Sequence, residues 1–222
     1  MILNFLSVNT VWNREKVLEF LDEYEIDAVF LDLPSSFEPY FAKKLLPPAD
    51  VSYTQDLRAS EPIIQYCWIK NIPIYCYLDD KVSVDQRDIQ IELARLVLRS
   101  KITNRIDLPE WKNLIFKDIH LRESSGEFIA MKISENAGNK NACLNLTPEV
   151  ENYLKEGGFE VERIQLYEFQ RPIDKLYNLA LSEMKGEKIS NEIYLDLIKK
   201  HLAFMDTVVE EGYENACKFL WI

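Results

Sequence analysis

Short apolar segments alternate with amphipathic ones along the chain, and this pattern predicts alternating strands and helices. Residues 2–8, 27–33 and 72–78 are mostly apolar, which is typical of buried strands, and residues 143–146 and 159–167 predict two further strands. After the first strand, apolar residues at helical spacing predict a helix capped by Asn13. Further helices are predicted over residues 57–70, 84–101, 106–135, 148–156, 173–185 and 190–215, with breaks at Pro109 and Gly126.

The order of these segments predicts an α/β fold. Residues 2–33 and 143–167 each give strand, helix, strand, so we expect two β-α-β half-repeats in a central mixed or parallel sheet with helices on both faces. One α/β domain is expected over residues 1–170, followed by a helical carboxyl-terminal tail over residues 171–222. The tail is expected to pack on the domain or to form a subunit interface in a homo-oligomer, because it carries an apolar stripe and ends in CKFLWI. The stripe consists of Leu197, Ile198, Leu202, Met205, Val208 and Val209.

Composition and charge narrow the classes of function. The chain has 26 Lys and Arg against 37 Asp and Glu, a formal charge of −11, so no nucleic-acid partner is expected. The basic residues between 95 and 105 favour a solvated helix face over an anion site. No segment approaches the ~18 apolar residues of a membrane span, and the first residues lack the pattern of a signal peptide. With four scattered cysteines in apolar surroundings, we expect a cytoplasmic protein with reduced, buried thiols and no membrane association.

Amide and hydroxyl residues follow two of the predicted strands, where α/β proteins usually hold their functional groups. Asn9 and Thr10 stand at the end of the first strand, and Asn145 and Thr147 at the end of the fourth. Threonine is a poor ligand for transition metals and a poor general base, but it caps helices well. Helix capping is therefore the preferred interpretation of both threonines.

Carboxylates supply the remaining candidate chemistry. Three aspartates follow or end strands and are therefore expected near one crevice: Asp32, Asp79 and Asp80. The candidate catalytic residues are Asp32 and Asp79, whereas Asp80 is interpreted as a helix cap or ion-pair partner. A carboxylate pair would hold a hard cation such as Mg²⁺ only weakly, and no other cofactor or tightly bound metal is expected. The two histidines, His120 and His201, lack ligand spacing, and His201 lies in an apolar helical stripe that predicts a packed side chain.

Several segments resemble, in order, motifs of the TraB family. They are DAVFLDLP at 27–34, DLRAS at 56–60, LDDK at 78–81, LRESSGEFIAMKI at 121–133 and ACLNLT at 142–147. The resemblance covers roughly residues 3–168 and extends to the wider group of TraB, GumN, ChaN, Tiki and erythromycin-esterase-like proteins. It implies an α/β fold, with peptide or ester hydrolysis in some relatives and haem binding in others.

The chain departs from this family at the positions that carry its chemistry. The two Gly-x-x-His corners of the family correspond here to residues 7–10 and 144–147, which contain neither glycine nor histidine. The family's strand-two glutamate is Asp32, and Arg122 keeps the place of a family arginine. The Glu-Met-Arg and Asp-Arg-Asp motifs of the family become Asp56-Leu57-Arg58 and Asp79-Asp80-Lys81.

Two functions remain open at this point. The favoured one is a catalytically degenerate TraB-like protein, in a regulatory or assembly role, that binds a small molecule, a peptide or a protein partner, or self-associates through its carboxyl-terminal helices. The alternative is a peptidase- or esterase-like hydrolase with a remodelled, carboxylate-based site that uses a divalent cation. Activity is disfavoured because Thr10 and Thr147 stand where the family has histidines.

The ligand-binding residues are expected to be the same for both functions. Arg58 and Arg122 are expected either to pair with Asp32 or Asp79 or to face an open pocket, because a buried guanidinium needs a carboxylate or a bound anion. The full set of expected ligand-binding residues is Asn9, Thr10, Asp32, Asp56, Arg58, Asp79, Arg122, Asn145 and Thr147.

Overall fold

The computed structural model describes residues 1–48 and 54–220. The chain divides into two compact units: a sheet unit of Met1–Ser83 with Ser124–Tyr167, and a helical unit of Val84–Glu123 with the residues from Glu168 onward. The helical unit thus contains the described part of the predicted tail together with residues 84–123, which the sequence pattern assigned to the α/β domain.

Five parallel strands form the centre of the sheet unit, which confirms the predicted α/β fold. They are β1 (Ile2–Leu6), β2 (Ala28–Pro34), β3 (Ile74–Leu78), β4 (Asn141–Leu144) and β5 (Val161–Gln165), in the order β3-β2-β4-β1-β5. Strand β1 pairs with β4 on one side and with β5 on the other. The two β-α-β half-repeats, β1 with β2 and β4 with β5, therefore interleave in the order β2-β4-β1-β5. This order is symmetric, because β1 and β4 form its centre and their partners β2 and β5 lie on the outside, each next to the first strand of the other half-repeat.

Helices cover the chain between and after these strands. In chain order they are α1 (Val11–Arg14), α2 (Val17–Glu23), α3 (Glu38–Phe41), α4 (Thr54–Lys70), α5 (Asp80–Thr103), α6 (Leu108–Ser124), α7 (Gly126–Asn136), α8 (Pro148–Glu156), α9 (Pro172–Met184), α10 (Asn191–Glu211) and α11 (Tyr213–Phe219), with a 3-10 turn at Ser35–Phe37. The helix predicted over 190–215 is broken at Gly212, whose φ of 79° suits glycine and ends α10.

Alternate residues of the strands point to opposite faces of the sheet, and each face is covered by helices. Leu3 and Leu31 pack in one apolar cluster with Ile63 of α4, while Ile2 and Phe30 belong to a second cluster. The second cluster also contains residues of α7 and α8, namely Ile129, Ala130, Ile133, Val150 and Leu154. Helices on both faces, as expected, thus bury most of β1, β2 and β4, whereas the edge strand β5 stays largely exposed.

The helical unit has its own apolar core. Trp111 and Ile115 of α6 pack with Leu176 of α9 and with Tyr194 and Ile198 of α10, and all five side chains are buried. Most of the predicted apolar stripe of the tail thus packs within the chain, although Val209 is 81% exposed. Self-association through the tail stays a prediction, and the last two residues of CKFLWI, Trp221 and Ile222, lie outside the described residues.

Two predicted helix caps differ from the structure. Asn13 caps no helix: it lies buried inside α1, where Oδ1 accepts from Val8 N at 2.9 Å and Nδ2 donates to Leu166 O at 3.0 Å. Thr10 occupies the N-cap position of α1, but its hydroxyl makes no capping hydrogen bond. The cap at Thr147 is confirmed, because its hydroxyl accepts from Val150 N at 3.3 Å. The short α1 leaves little helix to cap, and the Asn13 side chain instead joins this turn to Leu166.

The predicted burial of the cysteines and of His201 is confirmed. All four cysteines are free and buried. His201 is 8% exposed and packs edge-on against Trp111 with ring centroids 6.0 Å apart. Burial, with Arg171 nearby, lowers the pKa of His201 to about 4, so the imidazole is neutral at pH 7.

Candidate functional site at the carboxyl edge of the sheet

A buried ion pair lies where strands β1, β2 and β4 end. Arg14, in α1 just after β1, is fully buried, and its Nη2 lies 2.6 Å from Oδ2 of Asp32 on β2. The side chain of Asp32 is 16% exposed. Because a buried guanidinium loses its hydration, the carboxylate is the partner that makes its position tenable.

Helix α4 supplies the remaining contacts of this arginine. Nη1 of Arg14 donates to the hydroxyl of Ser60 and to the carbonyl oxygen of Asp56, the latter at 3.4 Å. The Ser60 hydroxyl in turn donates to the same carbonyl at 2.8 Å. Arg14 thus links the first turn after β1 to β2 and to α4, three elements far apart in the sequence.

Asn145 joins the two corners that follow β1 and β4. Its Nδ2 donates to Oδ2 of Asp32 at 2.8 Å, and its Oδ1 accepts from Ser7 N at 2.7 Å. Its backbone is left-handed, with φ of 53°, a conformation that asparagine adopts more readily than most residues. The amide therefore connects one corner to the other and both to the carboxylate.

A second pair of polar side chains lies beside this cluster. Nδ2 of Asn9 donates to Oδ1 of Asp56 at 3.0 Å, and Nε2 of Gln55 donates to the carbonyl oxygen of Asn9 at 2.8 Å. We call the whole group the edge cluster. It consists of Ser7, Asn9, Thr10, Arg14, Asp32, Asp56, Ser60 and Asn145.

Three buried polar atoms of the edge cluster have no hydrogen-bond partner among residues 1–48 and 54–220. They are Oγ1 of Thr10, Nε of Arg14 and Oδ1 of Asp32. A buried polar atom without a partner costs about 1–3 kcal/mol, and a natural fold tolerates few of them. Nε of Arg14 is a donor, Oδ1 of Asp32 is an acceptor, and the Thr10 hydroxyl can be either. A polar ligand or a water molecule would supply the partners that these atoms lack among the described residues.

The remaining predicted site residues do not join this cluster. Oδ1 of Asp79 caps α5, accepting from Lys81 N at 2.8 Å and Val82 N at 2.9 Å, and shares no partner with Asp32 in the described part of the chain. Asp80, interpreted from the sequence as a cap or ion-pair residue, accepts from Ser36 N at 3.1 Å instead. Thr147 caps α8.

Neither predicted arginine pairs with Asp32 or Asp79. Arg58 is exposed on α4. Arg122 belongs to the helical unit and pairs with the fully buried Asp118 of the same helix, with its Nη2 2.9 Å from Oδ2. Tyr177 also donates to Asp118, at 2.6 Å. The argument that a buried arginine needs a carboxylate holds in this fold, but the residue concerned is Arg14.

Sequence reasoning missed Arg14 and Ser60. Arg14 precedes Val17 by three residues and Leu21 by seven, so it falls on the face whose apolar residues are buried. A basic residue within an apolar helical stripe, directly after a strand end, was the signal that could have found it. Ser60 gave no such signal, because a serine beside Ala59 is equally at home on a buried or a half-buried helix face.

A separate polar network crosses the sheet at β1 and β5. Asn4 and Arg163 both donate to Glu151 of α8, through Asn4 Nδ2 at 2.6 Å and Arg163 Nη2 at 2.5 Å. Burial raises the pKa of Glu151, but these hydrogen bonds outweigh it and leave the pKa below its usual value. No buried side-chain nitrogen or oxygen of these three residues lacks a partner within the described chain, so this network is structural.

The chemistry of the edge cluster is that of hydrogen bonding. It contains no histidine or cysteine, and both imidazoles of the chain lie in the helical unit. Among the residues that the structure describes, no three His, Cys, Asp or Glu side chains are grouped as metal ligands. The cluster offers one carboxylate paired with a guanidinium, a second carboxylate, two amides and hydroxyls.

Comparison of the chain with protein-family models, curated proteins and solved structures gave no match. None of the described helices has the length and apolar character needed to cross a membrane.

Proposed function

We propose that this chain is a TraB-like protein of the cytoplasm that binds a small polar ligand or a peptide end at the edge cluster and does not hydrolyse it. The observation that carries the proposal is a set of three buried atoms, on Thr10, Arg14 and Asp32, that find no hydrogen-bond partner among the described residues and lie where parallel strands end. Kinship with the TraB family is supported by the position of the two corners, which follow the neighbouring strands β1 and β4 and meet through Ser7 and Asn145.

The charges of the cluster favour a ligand with a positively charged amino group. Arg14 balances Asp32, and Asp56 adds a second carboxylate, so these three described side chains sum to −1. The side chain of Asp32 is 16% exposed, while its Oδ1 is buried and accepts no hydrogen bond from the described residues. An ammonium group supplies the donors that this oxygen lacks, whereas an anionic ligand would meet two carboxylates.

Binding without hydrolysis follows from the side chains present. A family-type hydrolase would need an imidazole or a bound metal to activate water near pH 7, and the two corners offer hydroxyls and amides instead. The alternative hydrolase would have to recruit a divalent cation to Asp32, and the same experiment tests for it.

Thermal unfolding with peptide probes tests the proposal. We expect trialanine with a free amino group to raise the melting temperature in a saturable way and N-acetyl-trialanine to leave it unchanged. Thr10→Val should abolish the shift without lowering the stability of the free protein, while the matched change Thr207→Val in α10 should leave the shift intact. No shift with either peptide, or equal shifts with both, would contradict the proposed ligand chemistry.

Hydrolysis of the same peptides and of a p-nitrophenyl ester, with and without Mg²⁺, separates the two functions. We expect no turnover under either condition. Mg²⁺-dependent turnover that Asp32→Asn abolishes would favour the hydrolase and refute the binding-only function.

A further inference from the structure

Helix α5 has apolar side chains on two faces. One face contributes Ile89, Leu93, Leu96 and Val97 to the core of the helical unit. The other face is exposed to solvent although it carries four large aliphatic side chains: Val84 (47% exposed), Ile91 (44%), Leu98 (61%) and Ile102 (84%). Four such residues on one helix face are far more than the scattered apolar residues of an ordinary surface.

The exposed face has the spacing of a helix that packs against another helix. Its positions are 84, 88, 91, 95, 98 and 102, so the steps alternate between four and three residues, as in the contact seam of a coiled coil. Two of the six positions are charged, Asp88 and Arg95, and both are exposed. Oδ1 of Asp88 lies 3.7 Å from Nε of the neighbouring Arg87. We call these six positions the α5 seam.

The charge of α5 changes sign along the helix. Residues 84–93 contain three acidic residues and one basic residue, which sum to −2, and residues 94–103 contain three basic residues, of which Arg99 and Lys101 pair with Glu110 and Asp206 of the same chain. The charged positions of the seam itself show the same change of sign, from Asp88 to Arg95. A second copy of the same helix in antiparallel orientation would bring each half against the half of opposite charge. A parallel copy would bring like against like.

We propose that two copies of this chain associate through antiparallel packing of their α5 seams. In this register Val84 of one copy lies opposite Ile102 of the second copy. The second copy's Leu98 then lies opposite Asp88 and its Arg95 opposite Ile91, and the two-fold axis repeats the same pairs with the copies exchanged. Asp88 and the second copy's Arg95 are then three residues apart in level, about 4.5 Å along the axis, within reach of an arginine side chain. The same surface is used by both copies, as a two-fold dimer requires.

The proposal does not depend on the ligand site. It also differs from self-association through the carboxyl-terminal helices, because the seam lies on α5 and the exposed Val209 lies on α10. The two surfaces can therefore be tested against each other with single substitutions of residues that are exposed in the monomer.

Analytical ultracentrifugation of the full chain over a range of concentrations tests the seam. We expect a monomer–dimer equilibrium, with Leu98→Lys and Ile102→Lys each weakening association at least tenfold, and Val209→Lys leaving it unchanged. Circular dichroism of each variant should match the parent chain, because all three side chains are exposed. A strictly monomeric parent, or a dimer that Val209→Lys dissociates and Ile102→Lys does not, would overturn the proposal.

Charge exchange tests the antiparallel direction. Asp88→Arg alone and Arg95→Asp alone should each weaken association, because like charges then meet across the seam. The double variant Asp88→Arg/Arg95→Asp should recover the parent's association. A parallel pair places each residue opposite its own copy, so like charges would face each other in the parent and in every variant, and the single substitutions would leave association near that of the parent. Single variants that associate as well as the parent, or a double variant no better than the singles, would therefore refute the antiparallel direction.

Disulfide trapping gives an independent check of direction. When Val84→Cys and Ile102→Cys proteins are mixed and oxidised, the mixed dimer should form a cross-link. Ile102→Cys alone should not cross-link, because antiparallel packing separates its two copies by most of the helix length. Efficient linkage of Ile102→Cys to itself would indicate parallel packing and overturn the proposal.

Discussion

Replacing Asp32 by asparagine isolates the charge of the ion pair from its hydrogen bonds. Both Arg14 Nη2 and Asn145 Nδ2 donate to Oδ2 of Asp32, at 2.6 and 2.8 Å. An asparagine with its oxygen at this place keeps both bonds, and its NH₂ group takes the place of Oδ1, which has no partner in the described residues. What the variant loses is the negative charge that faces a fully buried guanidinium.

The expected cost follows from the geometry. With charge centres about 4 Å apart and an effective dielectric constant near 20, the attraction lost is about 4 kcal/mol. Measured losses on breaking one side of a buried pair are about 3–5 kcal/mol, because the remaining charge cannot regain its hydration. Arg14 has no exposed surface, so water cannot compensate it, and we expect Asp32→Asn to lower the free energy of unfolding by about 3 kcal/mol.

Urea unfolding monitored by circular dichroism measures this loss, and Asp79→Asn is the matched control. Asp79 caps α5 through two backbone N–H groups, and asparagine caps helices equally well, so the control should change stability by no more than about 0.5 kcal/mol. If Asp32→Asn cost no more than the control, the ion pair would not stabilise the sheet edge, and this account of Arg14 would be refuted.

Three further outcomes are expected from the same unfolding measurements. Thr10→Val should raise the free energy of unfolding by about 1 kcal/mol, because it removes a buried hydroxyl that has no partner in the described part of the chain; a loss of stability would mean that the hydroxyl is satisfied. The pKa of His201 falls from 6.5 in the unfolded chain to about 4 when folded, so stability should decline by about 3 kcal/mol as pH drops from 6.5 to 4, and His201→Phe should flatten this decline. Arg163→Ala should cost about 2 kcal/mol at pH 7, because it leaves the buried carboxylate of Glu151 without its ion-pair partner. The pKa of Glu151 is lower in the folded than in the unfolded chain, so the stability that the pair adds is present above pH ~4.5 and is lost as pH falls. A cost that did not shrink in acid would contradict this role.

The strands and most helices were predictable because their signals are local. An apolar run such as residues 27–33 and a periodic stripe such as Ile89, Leu93 and Leu96 are set by neighbours in the sequence. The strand order was not predictable, since placing β4 between β1 and β2 depends on contacts more than 100 residues apart. The same limit explains why residues 84–123 were assigned to the sheet domain: their stripe shows that a face is buried but not against which partner.

The candidate site was predictable in place and only partly in composition. Asn9, Thr10, Asp32 and Asn145 were expected at strand ends, and the structure brings them together there with Asp56. Asp79 was expected in the same crevice and caps α5 instead. The family resemblance drew attention to arginines at family positions, and those two are exposed or paired elsewhere. The charge that organises the cluster comes from α1, at a position that no quoted motif contains.

The side chain at position 145 explains why amides, rather than carboxylates or imidazoles, occupy this corner. It must donate to Asp32 and accept from Ser7 N at the same time, and an amide carries both functions in any protonation state. A carboxylate there would face Asp32 at 2.8 Å with a like charge, and an imidazole could do both tasks in its neutral form alone. The corner therefore holds a fixed pattern of donors and acceptors whatever the pH, which suits a site that recognises a ligand better than one that transfers a proton.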